Sequence, residues 1–184
     1  MFTIDIQKQL HGQSGAMTLR ADLTIKQGDF VALAGPSGSG KTTLLRILAG
    51  LESAKGVIKA DKSIWQDNSY TMPVQKRRIG FVFQEYALFE NMSVRQNLLF
   101  VNKDHSLADR LLDMTGMKQM QDRMPASLSG GQKQRVSLCR AMMNEPKLLL
   151  MDEPLSALDP DMRTKLQHDI LKLHKAFGTT TVMV

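Results

Sequence analysis

The sequence has almost no cysteine and no long apolar run. A single cysteine, Cys139, cannot form an intramolecular disulfide, which argues against a disulfide-stapled secreted module and fits a reducing compartment. No stretch approaches the roughly 18 apolar residues that a membrane-spanning helix requires, and residues 1–10 lack the basic and then apolar pattern of a secretory leader. We therefore expect these 184 residues to form one cytoplasmic domain with a sizeable core.

The net charge of the chain does not discriminate between classes of binding partner. A net charge of +6 is compatible with a polyanion, an anionic membrane surface or an enzyme that binds phosphate groups. The densest positive run, residues 76–78, is interpreted as a solvated face, with contact to phosphate or to a membrane as the alternative.

A glycine loop at residues 35–42, with the sequence GPSGSGKT, is the first motif. An apolar run at residues 30–34 precedes it, typical of a strand buried on both faces, and helical spacing follows over residues 41–49. Glycines let such a loop wrap phosphates with backbone N–H groups, and the helix dipole adds positive potential. We expect Lys41 to reach the β- and γ-phosphates and Thr42 to place its hydroxyl on Mg²⁺. The predicted phosphate-binding residues are Gly35, Pro36, Ser37, Gly38, Ser39, Gly40, Lys41, Thr42 and Thr43.

A second glycine motif, LSGGQ at residues 128–132, precedes a helix predicted from Gln132 to about Met143. Ser129 offers a hydroxyl, while Gly130 and Gly131 leave their backbone N–H groups uncovered, so this helix start is a second anion site. Two phosphate-binding turns far apart in one sequence suggest that two chains share a nucleotide. The alternative is an ordinary glycine turn with a serine N-cap.

Two carboxylates, Asp152 and Glu153, end a buried apolar strand at residues 148–151. Burying charge is costly, and Mg²⁺ and water beside a phosphate loop would explain the pair. Asp152 would then hold the metal, directly or through water, and Glu153 would orient and polarise the attacking water. Gln84 ends another predicted core strand, residues 79–84, and could touch Mg²⁺ or water. The alternatives are an exposed acidic pair that opens a loop and a surface amide.

The remaining pattern predicts both strands and helices. Residues 87–125 show helical spacing without alternation, which indicates a small helical lobe inserted in an α/β core. Asp159 and Pro160 are typical of an N-cap and a first helical residue, and Gly178 of a helix end. Strands are predicted at residues 2–7, 17–25, 57–59, 63–65 and 179–184, with a turn over residues 11–15.

Taken in order, these motifs resemble the nucleotide-binding domain of ATP-binding cassette (ABC) proteins. The matching elements are residues 35–42, the glutamine at 84, residues 128–132, the strand ending in the acidic pair, and the SALD loop at residues 156–159. The stretches at residues 75–98 and 151–160 are most similar to ATPases of bacterial importers of the molybdate, sulfate or polyamine type.

The resemblance implies a fold. It is a P-loop NTPase (RecA-like) α/β core with a mainly parallel sheet, an antiparallel β subdomain and an inserted helical subdomain. We expect one domain over residues 1–184, with the core and β subdomain at about 1–86 and 141–184 and the helical subdomain at about 87–140.

The resemblance also implies a mechanism. Two chains would pack head to tail around two ATP molecules, each phosphate loop facing Ser129, Gly130, Gly131 and Gln132 of the other chain. The implied catalytic residues are Glu153, Gln84 and Lys41, and the implied Mg²⁺ residues are Thr42, Gln84 and Asp152. ATP hydrolysis would drive substrate import, with the helical lobe and the Gln84 loop docking transmembrane permease subunits. A substrate-binding protein would act indirectly, nucleic acid is not an expected partner, and the subunit would be peripheral on the cytoplasmic side of the membrane.

Two departures from the family pattern stand out. The family stacks an aromatic ring on adenine, whereas Leu10 and His11 occupy the corresponding region, so either His11 stacks or Leu10 packs on the base. The sequence also ends at Val184, before the family's switch histidine. We therefore expect a C-terminally truncated chain that binds ATP but hydrolyses it poorly.

Two rival functions remain open. One is a soluble ABC ATPase that acts on nucleic acid or ribosomes. The other is a different phosphate-loop enzyme such as a GTPase, although the NKDH run at residues 102–105 lacks the final aspartate of a guanine-reading NKxD motif.

Overall fold

A computed structural model describes the backbone of residues 1–12, 15–156 and 158–184, and the side chains of these residues except 11 and 12. It contains eight strands and five α-helices in these ranges. In chain order they are β1 (Phe2–Gly12), β2 (Gly15–Ile25), β3 (Phe30–Ala32), α1 (Lys41–Ala49), β4 (Lys55–Ala60), β5 (Ser63–Gln66), β6 (Ile79–Val82), α2 (Val94–Leu99), α3 (His105–Met114), α4 (Gly130–Met142), β7 (Leu148–Met151), α5 (Pro160–Phe177) and β8 (Thr180–Met183). Short 3₁₀ turns lie at Val74–Lys76, Lys118–Met120 and Pro125–Ser127.

A parallel sheet with the order β3-β8-β7-β6 carries the site. Strand β7 lies inside this sheet and is buried at all four residues. Because helices cover both faces of the sheet, both sets of alternating side chains are apolar, which explains the unbroken apolar run of β7. Leu148 and Leu150 pack with helix α1, whereas Leu149 and Met151 pack with helices α4 and α5. The prediction that residues 30–34 form a strand buried on both faces is wrong. The strand β3 is shorter and lies at the sheet edge, where Ala32 is exposed.

An antiparallel sheet with the order β2-β1-β4-β5 forms a second layer over helix α1. Its first strand is longer than predicted, because β1 pairs with β2 from Phe2↔Ile25 to Gly12↔Gly15. Cross-strand pairing therefore extends the strand through residues whose own pattern is ambiguous. Of the predicted turn over residues 11–15, positions 13 and 14 lie outside the described residues.

The predicted helical lobe contains helices α2 and α3, which pack against α4. Capping explains where the two helices begin: Ser93 and Gln96 form a reciprocal capping box on α2, and the Asp104 carboxylate accepts from the Leu107 N–H on α3. The subdomain boundaries at residues 86/87 and 140/141 stay a prediction. Within the described ranges, no helix combines the length and the apolar character that crossing a bilayer requires.

Arg77 contradicts the interpretation of residues 76–78 as a solvated face, since its side chain is only 1% exposed. The guanidinium donates to the carbonyls of Ile47 and Leu48 at the end of helix α1, and to those of Trp65 and Met72. These carbonyl oxygens, together with the helix dipole, stabilise a buried cation. Arg77 therefore joins the helix that follows the phosphate loop to the antiparallel sheet.

Candidate functional site

The glycine loop at residues 35–42 connects strand β3 to helix α1. Its glycines at 35, 38 and 40 have φ values of +155°, +77° and +89°, which side chains with a Cβ rarely adopt. The Lys41 ammonium lies across the loop and donates to the carbonyls of Gly35 at 2.9 Å and Pro36 at 2.8 Å. The loop therefore carries a cation and the N-terminus of a helix at one place, which is an arrangement suited to phosphate.

Four of the predicted site residues meet where strands β6 and β7 end. The Thr42 hydroxyl donates to Asp152 Oδ1 at 2.8 Å, and Gln84 Nε2 lies 3.4 Å from Glu153 Oε2. Asp152 is buried, and its backbone N–H is bonded to the Val82 carbonyl. Parallel strands bring their carboxyl ends to one edge of a sheet, so residues far apart in sequence converge there.

The backbone at Glu153 is strained, with a φ of +45°. A non-glycine residue in this region costs of order 1–3 kcal/mol, and such strain clusters at active sites. The Glu153 side chain is half-buried and borders the two clefts described next. A strained backbone conformation therefore accompanies the carboxylate that lies beside the phosphate loop.

Two clefts, of 690 and 570 Å³, border the phosphate loop and share Ser37, Lys41 and Glu153. The larger cleft also contains Gly38, Gly40, Thr42, Thr43 and Gln84, and the smaller contains Gly35, Ser156 and Arg163. Pro36 and Ser39 complete the loop, and the Ser39 N–H donates to the Pro36 carbonyl.

Two apolar side chains line the larger cleft among polar ones, and the sequence predicted only one of them. Leu10 lies there as one alternative predicted, next to Met17, its direct partner across the β1–β2 pair. A Cβ on Gly40 would lie 3.1 Å from a Leu10 methyl, so this surface is continuous with the phosphate loop. Cross-strand register, which the β1 and β2 patterns hint at, is the signal that could have found Met17. The alternative, His11, has its side chain outside the described residues.

The LSGGQ residues lie apart from both clefts, since none of Ser129, Gly130, Gly131 and Gln132 lines either one. Ser129 is the N-cap of helix α4, which begins at Gly130, two residues before the predicted start. The Ser129 hydroxyl accepts from the Gln132 N–H, and Gln132 Oε1 accepts from the Ser129 N–H. The serine N-cap alternative is therefore correct as local structure. Ser129 is exposed, Gly130 is half-buried and Gly131 is buried, and the anion site at this helix start stays a prediction.

The donor set at Thr42 and Asp152 fits a magnesium ion that is also bound by phosphate oxygens. Among the residues that the structure describes, no group of three or more His, Cys, Asp or Glu side chains could hold a metal by itself. Mg²⁺ is usually bound by one or two carboxylates together with substrate phosphates, rather than by an all-protein cage. One hydroxyl and one carboxylate beside a phosphate loop match that chemistry.

Comparison with known proteins decides the family. The family model described as ABC transporter matches residues 19–156. The chain belongs to the ABC transporter family. Among curated relatives, the sulfate/thiosulfate import ATP-binding protein CysA of Nephroselmis olivacea is 47% identical over 89% of this chain and 49% of its own length. The Fe(3+) ions import ATP-binding protein FbpC 2 of Rhizobium meliloti is 46% identical over 89% of this chain and 42% of its own length. This cassette thus spans about half the length of the curated relatives it matches.

Solved structures confirm the predicted fold class. The dimeric structure of MJ0796, a bacterial ABC transporter cassette, superposes on this cassette with a TM-score of 0.81 at 30% identity. The match covers 100% of this chain and 87% of that one. A second dimeric MJ0796 structure, in a post-hydrolysis state bound to ADP and Pi, matches equally well. The resemblance to ABC nucleotide-binding domains, drawn from five motifs, and the resemblance to importer ATPases, drawn from residues 75–98 and 151–160, are also confirmed.

Proposed function

We propose that this cassette is the ATP-binding subunit of an ABC importer, and that it hydrolyses ATP between two head-to-tail copies. One observation carries the proposal: within a single chain, the phosphate-loop site and the LSGGQ turn do not line a common cleft. The phosphate loop, Asp152, Glu153 and Gln84 meet at one edge of the parallel sheet, whereas the exposed Ser129 turn lies outside both clefts. A second copy would bring its own turn to this site, and the dimeric state of MJ0796 supports that arrangement.

Each residue then has a role in the shared site. Lys41, Thr43 and the loop N–H groups would bind the triphosphate, and the turn at residues 129–132 of the other copy would close over the γ-phosphate. Thr42 and Asp152, with Gln84 near them, would hold Mg²⁺, which neutralises charge on the β- and γ-phosphates. Glu153 would orient the attacking water and accept its proton, with the Gln84 amide donating a hydrogen bond to its carboxylate.

The helical lobe provides a surface for a membrane partner. A groove of 400 Å³ lies among Asn91, Met92, Gln96, Leu99 and Phe100, and the Phe100 side chain is 62% exposed. A groove with an exposed aromatic side chain is a candidate interaction surface. We place the transmembrane permease subunits here. The cassette would then be peripheral on the cytoplasmic side, and a substrate-binding protein would act indirectly.

The names of the relatives supply the class of cargo. The proteins named above import sulfate and thiosulfate or Fe(3+). We therefore propose an inorganic ion as the cargo. Co-purification of the cassette with integral membrane proteins would support this function, whereas co-purification with ribosomes or DNA would favour the soluble ABC ATPase.

Light scattering on the Glu153→Gln variant tests the shared site. The substitution removes the general base, so ATP should persist, and Mg-ATP should double the mass of the 20.6 kDa monomer. The control combines Glu153→Gln with Lys41→Ala, which weakens nucleotide binding and should stay monomeric. A Glu153→Gln chain that remains monomeric at saturating Mg-ATP, with ATP demonstrably bound, would contradict the proposal.

A further inference from the structure

The larger cleft borders both the phosphate loop and the hairpin of strands β1 and β2. Leu10 and Met17 line the cleft and are direct partners across this hairpin, so their side chains lie on one face of it. A Cβ on Gly40 would lie 3.1 Å from a Leu10 methyl, which places this face beside the loop. The cleft volume of 690 Å³ is in the range of small-molecule sites. A nucleotide whose phosphates occupy the loop therefore has room to place its base against Leu10 and Met17.

The polar side chains near the hairpin are engaged with other parts of the chain. Those that line the cleft there are Lys8, Gln9 and Glu52. The Lys8 ammonium donates to the Ser53 carbonyl at 2.6 Å and lies 3.4 Å from the Glu52 carboxylate. Gln9 Oε1 accepts from the Thr18 hydroxyl at 3.0 Å. A nucleobase would have to replace these contacts rather than add to them, so hydrogen bonds from these side chains would contribute little net binding.

Adenine and guanine differ at their polar edges rather than in the area of their faces. Adenine carries an amino donor where guanine carries a carbonyl acceptor, so a site distinguishes them only through a group that reads this edge. A site built to hydrogen-bond its substrate rejects the wrong analogue by about 10⁴–10⁵, whereas an apolar site discriminates far less. Contact between Leu10, Met17 and the face of a base therefore favours neither purine.

We propose that Leu10 and Met17 bind the nucleobase by apolar contact alone, so that this cassette binds GTP as readily as ATP. The inference rests on the proposed function, because it requires a nucleoside triphosphate on this phosphate loop. Lys41 and the loop N–H groups bind the triphosphate in the same way for every base. Leu10 and Met17 then contribute affinity without selecting the base.

Calorimetric titration of the Glu153→Gln chain with Mg-ATP and with Mg-GTP tests the inference, because this variant should leave both nucleotides intact. We expect the two dissociation constants to agree within about tenfold, the low end of discrimination by apolar sites. This comparison needs no substitution in the hairpin, so it is decisive even if a hairpin variant fails to fold.

Substitutions in the same Glu153→Gln chain then locate the base. Leu10→Ala and Met17→Ala should each raise both dissociation constants by about fourfold or more, the effect of one buried CH₂ group, and by the same factor for the two nucleotides. The matched controls, Leu51→Ala and Met124→Ala, replace exposed side chains outside the cleft and should leave both constants unchanged. His11→Ala tests the other predicted base contact and should not change the ratio of the two constants.

The outcomes keep this inference apart from the proposed function. The inference is overturned if GTP binds more than about tenfold more weakly than ATP, or if folded Leu10→Ala and Met17→Ala chains bind both nucleotides like the parent. Loss of ATP binding without loss of GTP binding in His11→Ala would also overturn it. In each of these cases Mg-ATP can still double the mass, and the proposed function stands. Equal binding of both nucleotides without a dimer overturns the proposed function alone, and a chain that binds neither nucleotide overturns both.

Discussion

Replacing Arg77 by methionine should strongly destabilise this cassette, although Arg77 lies outside every sequence motif. Methionine keeps the unbranched stem of arginine as far as the position of Nε, so the substitution removes the rest of the guanidinium and its hydrogen bonds while most of the stem packing is retained. The guanidinium makes four bonds to carbonyl oxygens at 2.9–3.2 Å, and its carbon lies 5.6 Å from the centre of the Trp65 ring. Burial lowers the pKa of Arg77, which shows that desolvation opposes its charge.

The size of the expected destabilisation depends on how many carbonyl oxygens lose their hydrogen-bond donor when Arg77 is replaced. Without the guanidinium, the Ile47 carbonyl still accepts from the Gly50 N–H, and the Trp65 carbonyl still accepts from the Met72 N–H. The carbonyls of Leu48 and Met72 lose the donor that Arg77 provides. An unsatisfied buried acceptor costs about 1–3 kcal/mol, so two of them give a loss of about 4 kcal/mol. For a domain of this size the loss corresponds to a fall in Tm of about 8–16 °C.

Urea unfolding followed by circular dichroism measures this loss. The matched control is Arg78→Met, next in sequence but exposed, which should change the free energy of unfolding by no more than about 0.5 kcal/mol. Arg77→Lys should fall between the two, since an ammonium can reach only some of the carbonyls. An Arg77→Met chain within about 1 kcal/mol of the parent would refute the reasoning from orphaned carbonyls.

Two further predictions concern the helical side of the cassette. Burial raises the pKa of the Cys139 thiol from 9.0 to about 12, so its thiolate fraction falls about 10³-fold. Iodoacetamide should therefore modify Cys139 rapidly only when the chain is unfolded in urea. Rapid modification of the folded chain would contradict the burial of this thiol. Hydrogen bonds from Arg95 and Lys118 lower the pKa of Asp109 from 3.8 to about 2. Because the folded-state pKa is the lower one, the stabilisation is full above pH 3.8 and is lost as the pH falls towards 2; unfolding measured between pH 5 and 2 should show this loss in the parent and not in Asp109→Asn.

The ends of helices α1 and α5 were predictable from the sequence, because residues at or next to each end determine them. Helix α1 runs over Lys41–Ala49 as its pattern indicated, because glycines at 40 and 50 bound it in left-handed conformations. Helix α5 begins after Asp159 and ends at Gly178, as the cap residues predicted. Each of these boundaries depends on residues within a few positions, so the sequence contains what is needed to place them.

Contacts between distant segments were not predictable in the same way. Arg77 lies in a run of three basic residues, which is typical of an exposed segment. Its burial is favourable because helix α1 and the antiparallel sheet both present carbonyl oxygens to its guanidinium. Met17 enters the candidate site through its register opposite Leu10, and β3 is a sheet edge because of strand order. In each case the deciding neighbour is remote in sequence, and tertiary context overrides the local pattern.

The LSGGQ turn shows why a motif can be recognised before its physical requirements are known. The sequence explains its two glycines by uncovered N–H groups that face an anion. In the fold, a Cβ at Gly130 would lie 2.8 Å from the Tyr86 hydroxyl oxygen and a Cβ at Gly131 would lie 2.6 Å from Met162 Sδ, so either side chain would have to move to admit it. A Gly130→Ala substitution therefore does two things at once: it adds a methyl group to the predicted anion surface and displaces the Tyr86 side chain. Substituting Tyr86 alone removes that side chain and leaves both glycines in place, so comparing the two variants separates the effect of the added methyl group from the effect of the displaced ring.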